Sequence, residues 1–561
     1  MPRDAKPESQ EYRARVTPRA NGAARVSRTV AAASVGLSVG VVGLGGVAGG
    51  CGSGASVPGP SAASSAASGG SAAGGGTGSS GSSGGGAASS GAWDADGAAA
   101  TTGSSTGGAN PNAGNDSSVG VSHSGAASAE GGACAVAAST VRITEVDLGG
   151  AYAYDETDAN GPALGLAPLV ISPIPGGGSR LGWMGGDGQV HVTQLDANDR
   201  VAGPSLALPA FDFQDLVADD RGGVLLVSRA SAAGGTGHCG SPSNLCGTPP
   251  NPPDPCFDLM AVRFDGTAET WATKLTDSSA TSPPYLTSPT DPKSVVFIWW
   301  YAHNGRIAFD GSNYAAYFGA AISVSQGGCV NVHQGDRMKV VSSTGALKTG
   351  GFDWGCSHSG YERVVWDARA SRFVAVCKND LPDGSRSGRL AFAPQFATSA
   401  ITPVDLSYAD FGSLLVAGGA GYWLVTSDIR SGQLPNSSGL ADIHLLHTTT
   451  GAADRDLVLA SDPGLNDRAP HLAAYGPNQM LAAWETSTVP GDLTRQDASR
   501  KLVLQALDST TGAAQGSPYS AAGVTGSRYQ DFRSYPDGSV AYAAPGSSAT
   551  KVKILRILPC P

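Results

Sequence analysis

The sequence predicts an all-β body carried behind a long structureless leash, and three observations predict it. One apolar hairpin recurs seven times along the C-terminal part of the chain. No convincing amphipathic helix of ten or more residues interrupts it, and a Gly/Ser/Ala tract separates it from an apolar N-terminal segment.

The N-terminal segment carries an address. Residues 1–28 hold seven Lys/Arg (Arg3, Lys6, Arg13, Arg15, Arg19, Arg25, Arg28) against three acids (Asp4, Glu8, Glu11), a net +4. Because the 561-residue chain carries −10, the remainder carries −14. Such a surplus repels polyanions, so nucleic acid is not an expected partner. From Thr29 to Gly50 the chain reads "TVAAASVGLSVGVVGLGGVAGG", without one charge, and Cys51 follows. A basic start, an apolar run and small residues before a cut site make a secretory signal. A cysteine directly after "VAGG" resembles a bacterial lipobox, which implies that residues 1–50 are removed and Cys51 becomes a lipidated N-terminus. An uncleaved anchor is the competing reading, since the run is long enough to span a bilayer. Seven glycines and only two leucines make it a poor permanent anchor. Every version exports the rest of the chain. The expected location is lipid-anchored at the outer membrane, facing the periplasm or the cell surface.

Residues 51–132 follow as a low-complexity linker. From Gly52 to Gly132 there is no Lys or Arg, and Trp93 is the only aromatic, so no core can form. A flexible coil of about 80 residues spans roughly 50 Å root-mean-square, which suits a tether.

Residues 133–561 form the body. The hairpin, an apolar strand, a tight Gly/Asp/Asn turn and a second apolar strand, reads "LVADDRGGVLLVS", "IAFDGSNYAAYFG", "VVWDARASRFVAVC", "LLVAGGAGYWLVT", "LAAYGPNQMLAAW" and "FRSYPDGSVAYAA". A looser first copy is "LVISPIPGGGSRLGWMG". Asp, Asn and Gly occupy the turns because short hairpin loops demand positive φ. Third strands follow most copies, as in "DLMAVRFDGTA", "DRMKVVSSTGAL", "IHLLHTTTGA" and "KLVLQALDSTTGA". The second strands centre on Trp183, Leu225, Ala316, Val374, Leu424, Ala482 and Ala541. This texture resembles a seven-bladed β-propeller of four-stranded blades over about residues 135–560. Radial closure explains how so many strands avoid exposed edges.

Cysteine usage agrees with export. Setting Cys51 aside leaves eight, an even set suited to disulfides. Cys134 and Cys560 stand at the two ends of the body, where a propeller brings its termini together, so they are expected to pair. Cys356–Cys377 is the first expectation for the middle of the chain, with Cys329–Cys356 second. The thiols between Cys239 and Cys256 would staple a Pro/Gly-rich insertion.

With strands named A to D from the centre outwards, the B-to-C connectors are the long ones, among them "SVSQGGCVNVHQG" and "KNDLPDGSRSG". They share a face with the D-to-A crossovers, so binding is expected on that face. Aligned on the A strands, a polar residue precedes the apolar run in most copies: Asp215, Arg306, Arg363, Ser413, His471 and Asp531. Three positions earlier stand Asp212, His303, Gly360, Asp410, Arg468 and Arg528. These residues are expected to ring the mouth of a central channel. Ligand candidates there are His303, Arg306, His358, Arg363, Arg468, His471 and Arg528.

A metal set of His333, Asp336 and His358 is chemically conceivable, but "HQGD" and "CSHS" match no compact ligand spacing. An exported Cys356 suits a disulfide better than a thiolate ligand. Ser357 and Ser359 flank His358, yet neighbours on an extended chain point to opposite faces, so no nucleophile is activated that way. No cofactor is expected. Calcium at Asp155 and Asp158 is a weaker candidate than simple turn chemistry. The favoured role is a binding module for an envelope protein or a glycan. A polysaccharide hydrolase or lyase, with His303, His333 and His358 as acid/base or metal groups, is second; a structural envelope component is third.

Overall fold

A computed structural model describes residues 135–154, 168–210, 212–229, 258–276, 305–326, 329–352, 355–356, 362–379, 389–393, 401, 410–429, 439–449, 451–491, 493 and 497–559, with short strands at 237–238, 255–256 and 295–296. These residues are all-β, and no helix occurs among them. Their strands assemble into seven antiparallel sheets and one two-stranded ribbon. The innermost strands are Val170–Pro173, Asp212–Ala218, Arg306–Phe309, Arg363–Asp367, Phe411–Val416, Asn466–Tyr475 and Arg533–Ser534. Each touches the next, and the seventh touches the first, so the ring closes. The protein is a seven-bladed β-propeller.

Every A strand belongs to one of the seven hairpins read from sequence, and the B strands fall where their apolar runs predict. Blade 5 is typical: Phe411–Val416, Tyr422–Ile429, Ala441–Thr448 and Arg455–Ala460 lie side by side in chain order. Blade 4 shows three strands among the described residues, Arg363–Asp367, Arg372–Asn379 and Arg389–Ala393. Blade 7 draws its first three strands from the C-terminal end. Its outermost strand is Val141–Asp147, paired antiparallel to Lys551–Ile557 from Val141↔Ile557 to Asp147↔Lys551. Chain start and chain end thus share one sheet, which joins the ring through backbone hydrogen bonds. Cys134 and Cys560 lie outside the described residues.

Seven apolar clusters hold the disc together, one at each blade-to-blade interface. Between blades 5 and 6, Trp423 and Leu445 pack against Leu472, Met480 and Val503. Both faces of a blade are therefore buried, which is why the B strand Gly222–Arg229 is buried at every position instead of alternating. Each fully buried Leu or Val contributes about 1.5–3 kcal/mol of transfer free energy, and the disc holds dozens of such side chains.

Blade 3 departs from the expected plan. "SVSQGGCVNVHQG", read from sequence as a B-to-C connector, belongs to two strands of fourteen residues, Asn313–Gln326 and Cys329–Ser342. Their ladder runs unbroken from Asn313↔Ser342 to Gln326↔Cys329. Alternating β-branched residues, Ile322 and Val324 in the first strand and Val330 and Val332 in the second, favour strands, and the Gly327-Gly328 pair between them is a hairpin signal. Beyond Phe318↔Arg337 the arm continues for eight residues per strand, about 26 Å at 3.3 Å per residue.

Candidate functional site

The polar residues that open the A strands meet at the centre of the disc, in two layers. In the first, Arg306 donates from Nε to Asp531 Oδ2 at 2.7 Å and from Nη1 to the Gly305 carbonyl at 3.0 Å. Arg533 pairs with Asp215, whose other oxygen accepts from the Ile307 amide at 2.9 Å. One aspartate of blade 2 thereby ties blades 3 and 7. Arg363 donates to the carbonyls of Glu362 at 2.9 Å, Phe411 at 3.2 Å and Arg528 at 3.3 Å, and to that of Gly412. Gly412 is required there, because a Cβ would overlap the Pro470 carbonyl of the adjacent A strand.

In the second layer Asp410 accepts from Arg468 Nε and the Ala469 amide at 3.0 Å each, and ion-pairs with Arg528 at 3.0 Å. Burial alone would raise this carboxyl, but Arg468 and Arg528 outweigh it and hold Asp410 far below the usual carboxylate range. Asp531 follows the same logic: Arg306, Arg363 and Arg533 overcome its burial and keep it ionised. Asp215 goes the other way, burial raising it against the pull of Arg533 and Arg306.

His471 sits among these charges, fully buried beside the rings of Phe532 and Tyr542. Burial lowers its pKa to about 4, so the imidazole is neutral at pH 7. The Ser527 backbone partly offsets that burial. Ser413 Oγ, Asp531 Oδ1 and Arg533 Nε have no hydrogen-bond partner. A buried polar atom left unpaired costs about 1–3 kcal/mol, so these atoms are candidates for contact with a bound molecule.

A cavity of about 520 Å³ extends from the first layer along the A strands. It reaches the short A-to-B turns of blades 4, 5 and 6, with Arg369, Gly418 and Asn478 in its wall. The sequence places binding on the opposite face, with its long connectors; the described cavity lies on the short-turn side of the charge cluster. At its inner end the side chains of Arg533 and Asp531 are 21% and 15% exposed, so solvent reaches both. The charged residues of the lining are Arg306, Arg363, Arg369 and Arg533 against Asp367 and Asp531, four positive and two negative, a surplus of two.

Of the residues singled out from sequence, Arg306 and Arg363 line this cavity, whereas Arg468 and Arg528 grip Asp410 in the layer behind. His303 and His358 lie outside the described residues, as do Cys51, Asp155 and Asp158. His333 falls on the long blade 3 strand Cys329–Ser342, its side chain outside the described set. Asp336 is a buried hub: it accepts from the Gly355 amide at 2.9 Å, from the Cys356 amide and from the Tyr317 hydroxyl. Its burial lifts the carboxyl to about 7 against those hydrogen bonds. Beside it, Cys356 and Cys377 form a disulfide, Cα atoms 6.5 Å apart. The sulfurs that lie close to Asp336 are thus bonded to one another. Sequence reasoning missed Arg533. It opens the innermost strand of blade 7, two residues after Asp531, and that spacing was the available signal.

No family model and no curated protein matches this sequence. Among solved structures, the alpha-L-arabinanase of Penicillium chrysogenum complexed with arabinobiose aligns at 9% identity and TM-score 0.32, over 74% of this chain and 97% of that one. The soluble aldose sugar dehydrogenase of Escherichia coli aligns at 10% identity and TM-score 0.32, over 75% and 100%. The Dos1 propeller aligns at 10% and 0.32, over 73% and 95%. The blade count stands on this chain's own sheets.

Proposed function

We propose that the propeller is a binding module whose central cavity takes the end of a glycan or a comparable small polar ligand. The observation that carries this reading is the set of unpartnered buried polar atoms Ser413 Oγ, Asp531 Oδ1 and Arg533 Nε, on residues that line a 520 Å³ cavity. Convergent polar groups in a concavity of this size suit one or two sugar rings. A glycan-array screen with the full chain tests it. Reproducible hits are expected, and a blank array would contradict the reading.

A hydrolase or lyase is the second reading, favoured by one observation: Asp531 is held low while Asp215 is raised, the divergence expected of an acid and base pair. Against it, Asp215 is fully buried behind Arg533 and is not part of the cavity wall. Turnover of array hits, abolished by Asp531→Asn, would establish catalysis.

The same proposal places the body outside the cytoplasm, tethered by the linker to a lipid on Cys51. Incorporation of a labelled fatty acid into the full chain, lost in Cys51→Ala, is the expected outcome; equal labelling of both would contradict it.

A further inference from the structure

We infer that the ligand is a carbohydrate of at least two rings, inserted through the A-to-B turn face, with its terminal ring at Ser413, Asp531 and Arg533 and its second ring stacked on Trp366. The inference rests on the cavity being a binding site and adds a binding residue, an orientation and a minimum ligand length.

Five tryptophans belong to the described residues. Trp183, Trp423 and Trp484 lie on B strands, are at most 3% exposed and fill blade interfaces. Trp271, on an outermost strand, donates from Nε1 to the Ser343 carbonyl at 3.2 Å. Trp366 differs in place and exposure: it lies on the innermost strand of blade 4, is partly exposed and lines the cavity. Phe373, directly opposite in the ladder, supports it at 4.9 Å with the rings tilted by 59°. Val365, Leu415, Val416 and Ala474 also line the cavity and are partly exposed. All four stand on the turn side of the polar inner end, so the outer part of the cavity is an apolar sleeve open to solvent, the wall that ligand sites favour.

The inner end calls for different chemistry. Asp531 Oδ1 can accept, Arg533 Nε can donate and Ser413 Oγ can do either, and none of the three has a hydrogen-bond partner. Sugar hydroxyls donate and accept, so one ring can satisfy them all. Spacing joins the two ends. Asp531 Oδ1 is 3.8 Å from Arg363 Nε, and Trp366 follows Arg363 by three positions on one strand, about 10 Å at 3.3 Å per residue. A single ring is too short for that distance, whereas two linked rings cover it.

The ligand therefore presents hydroxyls at its tip and an apolar face behind them. A sugar ring offers both, because its C–H bonds, made slightly positive by the oxygens on the same carbons, meet the negative face of an indole. A simple quaternary ammonium also suits an indole, but it brings no hydrogen bond to Ser413 or Arg533. Arg369, Gly418 and Asn478 in the wall are exposed on the short turns, so the remainder of the chain of sugars leaves on that side.

The test is calorimetric titration of the full chain with matched sugars: glucose with cellobiose, galactose with galactobiose, mannose with mannobiose, and the corresponding pair from any further class that scores on the array. In a pair that binds, the disaccharide is expected to bind at least tenfold tighter than its monosaccharide. Trp366→Ala should remove that advantage and leave monosaccharide affinity unchanged, and Trp366→Phe should keep part of it. Saturating disaccharide should shift the tryptophan emission of wild type to shorter wavelength, and Trp366→Phe should lose the shift while still binding. Circular dichroism of each variant confirms the fold. Disaccharide affinity unchanged in Trp366→Ala, or an equal loss for both sugars of a pair, would overturn the inference; if Ala474→Trp still abolishes binding, the cavity stands as the site. Displacement of the disaccharide by tetramethylammonium would overturn the sugar as the occupant of the indole. No binding by any pair would overturn the inference together with the reading it rests on.

Discussion

Arg556 on the last strand donates from Nη2 to Asp199 at 2.6 Å, across 357 residues of sequence. Arg142, directly opposite Arg556 in the ladder that joins the two chain ends, reaches the other oxygen of the same aspartate at 2.7 Å. Two arginines from the N- and C-terminal strands of blade 7 therefore clasp one carboxylate on the C-to-D turn of blade 1. Asp199 holds a left-handed backbone, φ 60°, to present it.

Removing that carboxylate leaves Arg556 buried without its partner, so Asp199→Ala is expected to lower stability by roughly 3–5 kcal/mol. Asp199→Asn tolerates the left-handed backbone and keeps hydrogen-bonding capacity, so it should fall between Ala and wild type. Denaturant midpoints of the three proteins check the order; an Asn variant as weak as Ala would show that the charge alone matters.

That clasp was not legible in the sequence, because its partners lie hundreds of residues apart and no local pattern links them. What was legible was periodic. Paired apolar runs around Gly/Asn/Asp turns marked all seven hairpins, since run length and turn chemistry are local properties. Register on the A strands also placed Arg306 and Arg363 on the axis. Arg533 escaped because the polar positions were sought only before the apolar run of each repeat, and Arg533 lies within the hairpin itself. The blade 3 arm, eight residues per strand, escaped because its glycine pair looked like loop composition, although the flanking valines alternate as in a strand. Which end of the channel stays open depends on how large side chains such as Arg468 and Arg528 fold back onto Asp410, a tertiary outcome.

His471 and Asp336 give stability two opposed pH dependences. The imidazole is depressed from 6.5 to about 4, so its contribution is complete above 6.5 and is lost as pH falls toward 4. The Asp336 carboxyl is raised from 3.8 to about 7, so its contribution is complete below 3.8 and is lost as pH rises through 7. Between about pH 4 and 6.5 the two slopes offset. Asp336→Asn mimics the protonated acid and removes the second slope. Relative to wild type, the variant should gain roughly 2–4 kcal/mol between pH 5 and pH 8, read from urea midpoints. A difference that does not change with pH would contradict the raised carboxyl.

The Cys356–Cys377 disulfide closes a loop with a sequence separation of 21 between the crossover into blade 4 and the end of that blade's B strand. Replacing both cysteines by alanine should lower stability by about 3 kcal/mol on the loop-entropy model. Because the pair lies outside the cavity wall, ligand affinity should be unchanged. Loss of binding in a folded double variant would show that the crossover takes part in the site.

The central claim is that the cavity along the A strands is where ligand binds. Ala474 lines it and is partly exposed, so Ala474→Trp should fill the space without disturbing a blade interface. Calorimetric titration of the strongest glycan-array ligand into wild type and Ala474→Trp is the direct measurement. A saturable one-to-one isotherm for wild type, and none for a variant with an unchanged circular dichroism spectrum, is the predicted result. Equal affinity in both proteins would place the ligand elsewhere and contradict the account.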